Sequence, residues 1–159
     1  MYYFHATIIC MRIINRNFHR TYEEIESFEA GIMLTGAEVK SVRAGNVRLE
    51  NSFVRIENGE AFLINADIPI YQFARPAGYD PVRRRKLLLH KKELTRLQTK
   101  MTGAGKLTIA PIVCYTKGRH IKFSIALVKG RGEIGKKILE MHEDVKRDQE
   151  REMKDYMKK

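Results

Sequence analysis

Phe28-Glu29-Ala30-Gly31-Ile32-Met33-Leu34-Thr35-Gly36-Ala37-Glu38-Val39-Lys40-Ser41-Val42-Arg43-Ala44-Gly45 changes its character half-way along. The first half sets Phe28, Ile32 and Leu34 around the small Ala30 and Gly31, the make-up of a strand relaxed by one glycine. Thr35 then suits a helix N-cap, and Glu38 stands three residues on, where a capping-box carboxylate belongs. Gly45 falls where a C′ glycine stops a helix of about two turns. The stretch therefore predicts a strand, a tight corner and a short polar helix bearing Glu38, Lys40 and Arg43. Such a helix on a basic β domain suggests a surface built to hold something.

Outward from this corner, strands dominate. Residues 22–34 read as one long first strand, 52–56 as a second and 61–64 as its return, with Asn58-Gly59 between them as a type I′ hairpin signal. Pro69 and Pro76 mark residues 67–80 as a loop. Leu94, Leu97 and Met101 recur at helical spacing, so 91–101 is an amphipathic helix ended by Gly103 and Gly105. Leu107, Ile109, Pro111, Val113 and Tyr115 alternate with smaller or polar neighbours, and Ile121, Phe123, Ile125 and Leu127 do the same after Lys117-Gly118-Arg119. There is no βαβ alternation and no repeat. A mainly β chain follows: an oligonucleotide-binding-type antiparallel barrel of about six strands with helices inserted between them.

Lys and Arg outnumber Asp and Glu by 30 to 19, a net charge of +11. Residues 1–128 hold 20 of the cations against 11 acids, whereas 129–159 hold 10 against 8. The body is thus the polyanion binder, through phosphate neutralisation and counterion release. From Lys129 the pattern changes: Gly130 and Gly132 break the strand, and 138–159 permit a helix supported by Glu143–Arg147 and Glu150–Lys154 pairs. The apolar residues Ile138, Met141, Val145, Met153, Tyr156 and Met157 are too sparse for a stable buried face, so this tail is expected to order against a partner. The division expected is an extension at 1–13, a barrel at 14–130 and a tail at 131–159. Met11 offers an alternative start.

Cys10 and Cys114 lack zinc-like spacing and are too few for a disulfide framework, which fits a reduced, cytoplasmic setting. No window approaches a membrane span, and the apolar start lacks the marks of a secretion signal. No hydrolase, phosphate-loop, zinc or dinucleotide fingerprint is present, and no cofactor or metal is expected. His90 is either a capping or solvated histidine or an acid–base group of an RNA-cleaving site. Glu38 is a capping carboxylate, an acceptor for base amino groups or ribose hydroxyls, or both. The run Arg83-Arg84-Arg85-Lys86 is a solvated loop or a set of phosphate contacts, and the adjoining Leu87, Leu88 and Leu89 are core or an apolar contact to unpaired bases.

The residues from about Ile14 to Lys137 resemble the SsrA-binding protein (SmpB) family. The matching segments are Asn15-Arg16, Phe28-Glu-Ala-Gly-Ile, Leu34 through Gly45, Asn58-Gly-Glu-Ala-Phe62, Arg85-Lys-Leu-Leu-Leu-His90 and Lys129-Gly130. The resemblance implies a barrel flanked by three helices, no enzymatic activity, and binding of the tRNA-like domain of transfer-messenger RNA. Family residues implicated in that binding match Asn15, Glu38, Lys40, Leu89, Lys129 and Gly130; Arg16, Arg43, Arg85 and Lys86 are further RNA-binding candidates. The resemblance also implies a tail that enters the ribosomal decoding centre and mRNA channel as a helix, with Lys136 and Lys137 as its candidates, and work beside elongation factor Tu and alanyl-tRNA synthetase on the same RNA. A monomer is expected. Two departures stand out: Arg20-Thr21-Tyr22 replaces the family's His-Asp-Tyr, and Gly135-Lys136-Lys137 replaces its Asp-Lys-Arg. A generic rival is a small RNA-processing enzyme using His90 and Glu38, and another is a structural protein of the ribosome.

Overall fold

In the computed structural model, which describes residues 11–74, 77–103 and 105–157, the chain runs β1 (Arg12–Ile14), α1 (Phe18–Thr21), β2 (Tyr22–Ile32), α2 (Gly36–Arg43), β3 (Phe53–Glu57), β4 (Glu60–Ile64), β5 (Arg85–Leu88), α3 (Lys91–Gly103), β6 (Leu107–Lys117), β7 (His120–Gly130) and α4 (Glu133–Tyr156). Asn58 and Gly59 take φ of 51° and 73° between β3 and β4, the left-handed pair that a type I′ turn needs. β6, β3, β4, β5, β2 and β7 are successive antiparallel neighbours, and β7 pairs back onto β6. Six strands therefore close a barrel and leave no long free edge.

β1 is a seventh strand, laid on the length of β6 beyond its contact with β3. Ile13 faces Cys114, whereas Val54 of β3 faces Ile109. The sheet thus reaches back to Arg12, inside the stretch expected to be an extension; three residues are too few to show alternation. Residues 1–10, including Cys10, lie outside the described residues. Pro111, which has no N–H to give, sits where β6 slips register against β7, the bulge position a strand proline tolerates.

The barrel interior is filled by Val54, Leu63, Leu87, Ile109, Phe123 and Ile125, and α3 closes over it with Leu97 fully buried and Leu94 and Met101 beside it. That is the helical stripe the sequence shows. A second, smaller cluster lies on the outside of β6 and β7, where Phe18 of α1 is buried against Ala110, Ala126 and Val128. Cys114 is buried and free, and desolvation pushes its thiol up to about 12.

Three more elements differ from expectation. The first long strand ends at Ile32, so Leu34 belongs to the corner. Arg85–Leu88 is a barrel strand with Arg85 and Leu87 inward; a four-residue strand that is half cationic shows no apolar alternation to read. The tail is helical from Glu133, five residues before the expected start, with no residue buried. Arg131 ties its root to α1 by donating from Nε to the carbonyl oxygens of His19 and Tyr22, both at 3.1 Å. Arg20 and Glu140 add an ion pair at 2.5 Å, and the expected Glu143–Arg147 pair is present at 3.6 Å. Among the described residues no helix is long and apolar enough to cross a membrane.

Candidate nucleic-acid interface

Glu38 is the pivot of one end of the barrel. Its backbone N–H donates to Thr35 Oγ1 at 3.4 Å while its own Oε2 accepts from the Thr35 N–H at 2.8 Å, a complete capping box. Arg83 donates to the same carboxylate twice, Nε to Oε1 at 2.8 Å and Nη2 to Oε2 at 2.5 Å. Arg85 donates from Nε to Oε1 at 2.9 Å and from its terminal nitrogens to the carbonyl oxygens of Ala66 and Pro81, each at 2.7 Å. Burial alone would raise the Glu38 pKa, but the bonds from Arg83, Thr35 and Arg85 outweigh it and hold the carboxyl at about 2.

This geometry bears on two expectations, and of the readings offered for Glu38 it shows the capping one. Glu38 is completely buried with both oxygens engaged, so as placed it cannot accept from a base or a ribose. Arg85 is completely buried too. A chain-order reading sees four basic residues in a row, but a strand sends alternate side chains to opposite faces, and the one aimed inward meets the only carboxylate on α2. A carboxyl held at about 2 and sealed from solvent is also no proton shuttle. His90 serves locally at the start of α3, where its backbone N–H donates to Glu93 Oε2 at 3.0 Å.

What the Glu38 cluster does is fix cations around itself. Lys40 is exposed on α2 with Nζ 5.7 Å from the centre of the Tyr71 ring. Arg43, also exposed, donates from Nη2 to the Arg119 carbonyl oxygen at 3.0 Å, joining α2 to the β6–β7 turn. Arg83 remains partly exposed above the buried carboxylate. Beside them an open pocket of about 670 Å³ lies between Val39, the half-buried Leu89, His90 and Arg119 to Lys122. Past the C-terminal end of α2, Arg12, Arg16 and Arg48 line a groove with Gly45. Arg12, Arg48 and Arg119 are isolated cations in the sequence and carry no signal there.

The other candidates have different surroundings. Asn15 is buried and structural in position: Nδ2 donates to the Pro111 carbonyl oxygen at 2.9 Å across the β6 bulge, and its Oδ1 has no partner among the described residues. Lys86 pairs with Glu60, and Arg84 with Glu57 while lying over the Phe62 ring. Lys129 and Gly130 are exposed at the end of β7, ten residues from its start at His120, or roughly 33 Å by strand rise. Lys136 pairs with Glu133 at 3.0 Å and Lys137 is exposed, both on the first turns of α4. The candidates therefore divide between two ends of the molecule, with the helix springing from the second. Among the described residues no group of three or more His, Cys, Asp or Glu is placed to hold a metal.

Comparison with known proteins matches the model of the SmpB protein family to residues 12–155. The SsrA-binding protein of Persephonella marina is 44% identical over 144 residues, covering 91% of this chain and 94% of the relative. That of Microcystis aeruginosa is 47% identical over 147 residues, covering 91% and 92%. A solved chain described as "tmRNA-SmpB: a journey to the center of the bacterial ribosome" is similar with a TM-score of 0.64 and 43% identity, over 77% of this chain and 85% of that one.

Proposed function

The chain belongs to the SmpB family of SsrA-binding proteins, and from that premise we propose that it is an RNA-binding adaptor which binds the tRNA-like domain of transfer-messenger RNA and brings that RNA to stalled ribosomes for trans-translation. The observation that carries this is the likeness, at 43% identity, to a chain solved as tmRNA-SmpB in the bacterial ribosome.

The geometry supports a division of labour. At the α2 end, Lys40, Arg43, Arg16 and, on the adjoining strand, Lys86 meet phosphates, and Leu89 offers an apolar contact in the open pocket. Glu38, Arg85 and Asn15 shape that surface from beneath. A folded RNA is gripped by shape, ribose and phosphate contacts rather than by groove reading. At the far end, Lys129 and Gly130 lead into a helix whose Lys136 and Lys137 reach the small-subunit mRNA path. Intact mRNA competes with that helix for one groove, so only an emptied channel admits it. Elongation factor Tu and alanyl-tRNA synthetase meet the protein on the same RNA, and the protein acts as a cytoplasmic monomer without a cofactor. The sealed, ionised Glu38 supports a reading with no chemical step.

Purified protein in a gel shift against a tRNA-like transcript tests this, with plain tRNA as competitor. The transcript is expected to stay bound. Equal displacement by plain tRNA would overturn the adaptor reading, and RNA turnover abolished in His90→Ala would replace it with an enzyme.

A further inference from the structure

Between β4 and β5 the chain leaves the barrel in a loop whose base is tied down. Arg48 and Asp67 exchange backbone hydrogen bonds at 2.9 and 3.1 Å, and the Ile68 N–H donates to the Pro81 carbonyl oxygen at 3.1 Å. Tyr79 Oη donates to the Ile68 carbonyl oxygen and Ser41 Oγ to that of Pro69, both at 2.6 Å. The bond from Ser41 matters most, because it sets the loop against α2 two residues before Tyr71. The loop then turns: the Ala74 N–H donates to the Tyr71 carbonyl oxygen at 2.8 Å, which puts Gln72 and Phe73 at the corner.

Phe73 is 78% exposed. Its ring meets Tyr71 edge-on, centroids 5.5 Å apart at 68°, and the Lys40 ammonium lies 5.7 Å from the centre of the Tyr71 ring. A phenylalanine held out in water gives up the burial that normally recommends it. Here it is held out by a turn and braced by a second ring, which itself lies beside Lys40 of α2. An apolar protein partner would call for a broad apolar patch, whereas an exposed ring packed on Tyr71, whose own ring lies under the Lys40 ammonium, suits a flat apolar surface attached to phosphate.

We propose that Phe73, braced by Tyr71, is a stacking platform for an unpaired nucleobase of the bound RNA, with Lys40 taking the adjoining phosphate. This deepens the RNA-adaptor reading and rests on it. Every base has a π face, so the platform accepts any of them, but a paired base keeps its faces in the helix and is refused. The ring therefore selects RNA that presents a loop at this distance from the helix gripped by α2.

The sequence contains no tryptophan, so Phe73→Trp creates a single indole that reports stacking by loss of emission. With the full chain, three probes are compared: the tRNA-like transcript, a fully paired hairpin with a capped end, and a single-stranded oligonucleotide. Emission from the Trp variant is expected to be quenched by the transcript and the single strand and not by the duplex. Phe73→Ala is expected to weaken transcript binding about five- to a hundredfold and to leave duplex binding unchanged, with an unaltered circular dichroism spectrum. Unquenched emission while the gel shift reports bound transcript overturns the platform, as does equal loss on transcript and duplex in Phe73→Ala. A transcript displaced by plain tRNA while single strands still quench the indole overturns the adaptor reading and leaves the platform standing.

Discussion

Glu38 and Arg85 meet with both side chains completely withdrawn from solvent, Oε1 to Nε 2.9 Å apart. One residue stands on α2 and the other on β5, 47 positions later, and the second carboxylate oxygen takes Arg83 at 2.5 Å. A buried pair of this kind contributes little beyond an apolar substitute, but removing one partner leaves the other charge uncompensated, at a cost of about 3–5 kcal/mol. Its value is positional: it fixes where α2 lies on the barrel, and with it Lys40, Arg43 and the loop anchored by Ser41.

Acid should therefore loosen the molecule through this residue. The Glu38 carboxyl lies at about 2 in the folded chain, below its ordinary 4.5, so its contribution is fully present above about pH 4.5 and fades as pH falls towards 2. By linkage that contribution is about 3 kcal/mol. Urea unfolding at stepped pH is expected to show wild type well above Glu38→Gln near neutrality and the gap narrowing below pH 4. A gap that does not change with pH would remove charge from the account.

Lys40 is exposed and carries no ion pair with a carboxylate within 4 Å among the described residues. Lys40→Ala is expected to leave the melting temperature in place and to lower the slope of log affinity against log salt by about 0.7–0.9, the loss of one phosphate contact. Filter binding across a salt series measures it. An unchanged slope with weaker binding would mean that Lys40 acts by bracing Tyr71.

Deleting the chain from Gly135 onward removes most of a helix with no buried residue while keeping the Arg131 ties to α1. Thermal stability and affinity for the tRNA-like transcript are expected to stay close to wild type, and tagging on stalled ribosomes in a reconstituted translation assay to disappear. Tagging at wild-type level would separate the helix from the ribosomal step.

Much of this is legible in order along the chain. Thr35, Glu38 and Gly45 announce a capped two-turn helix, Asn58-Gly59 a hairpin, and the alternation through β6 and β7 the longest strand pair, because each is a local relation within a few residues. β1 and β5 are not legible: short strands joined to distant partners leave no period to read. The basic run shows the same limit, since only the barrel decides that Arg85 turns inward to a carboxylate 47 residues away.

By itself the sequence determined a basic, mainly β chain with a short capped helix at its centre and a mixed-charge helical tail, since composition and near-neighbour chemistry suffice for those. Only the tertiary structure decided that Glu38 and Arg85 are buried against each other while Lys40, Arg43 and Phe73 stand exposed. Burial belongs to whichever elements the closing barrel brings together, and a side chain's charge does not say on which side of the wall it will lie.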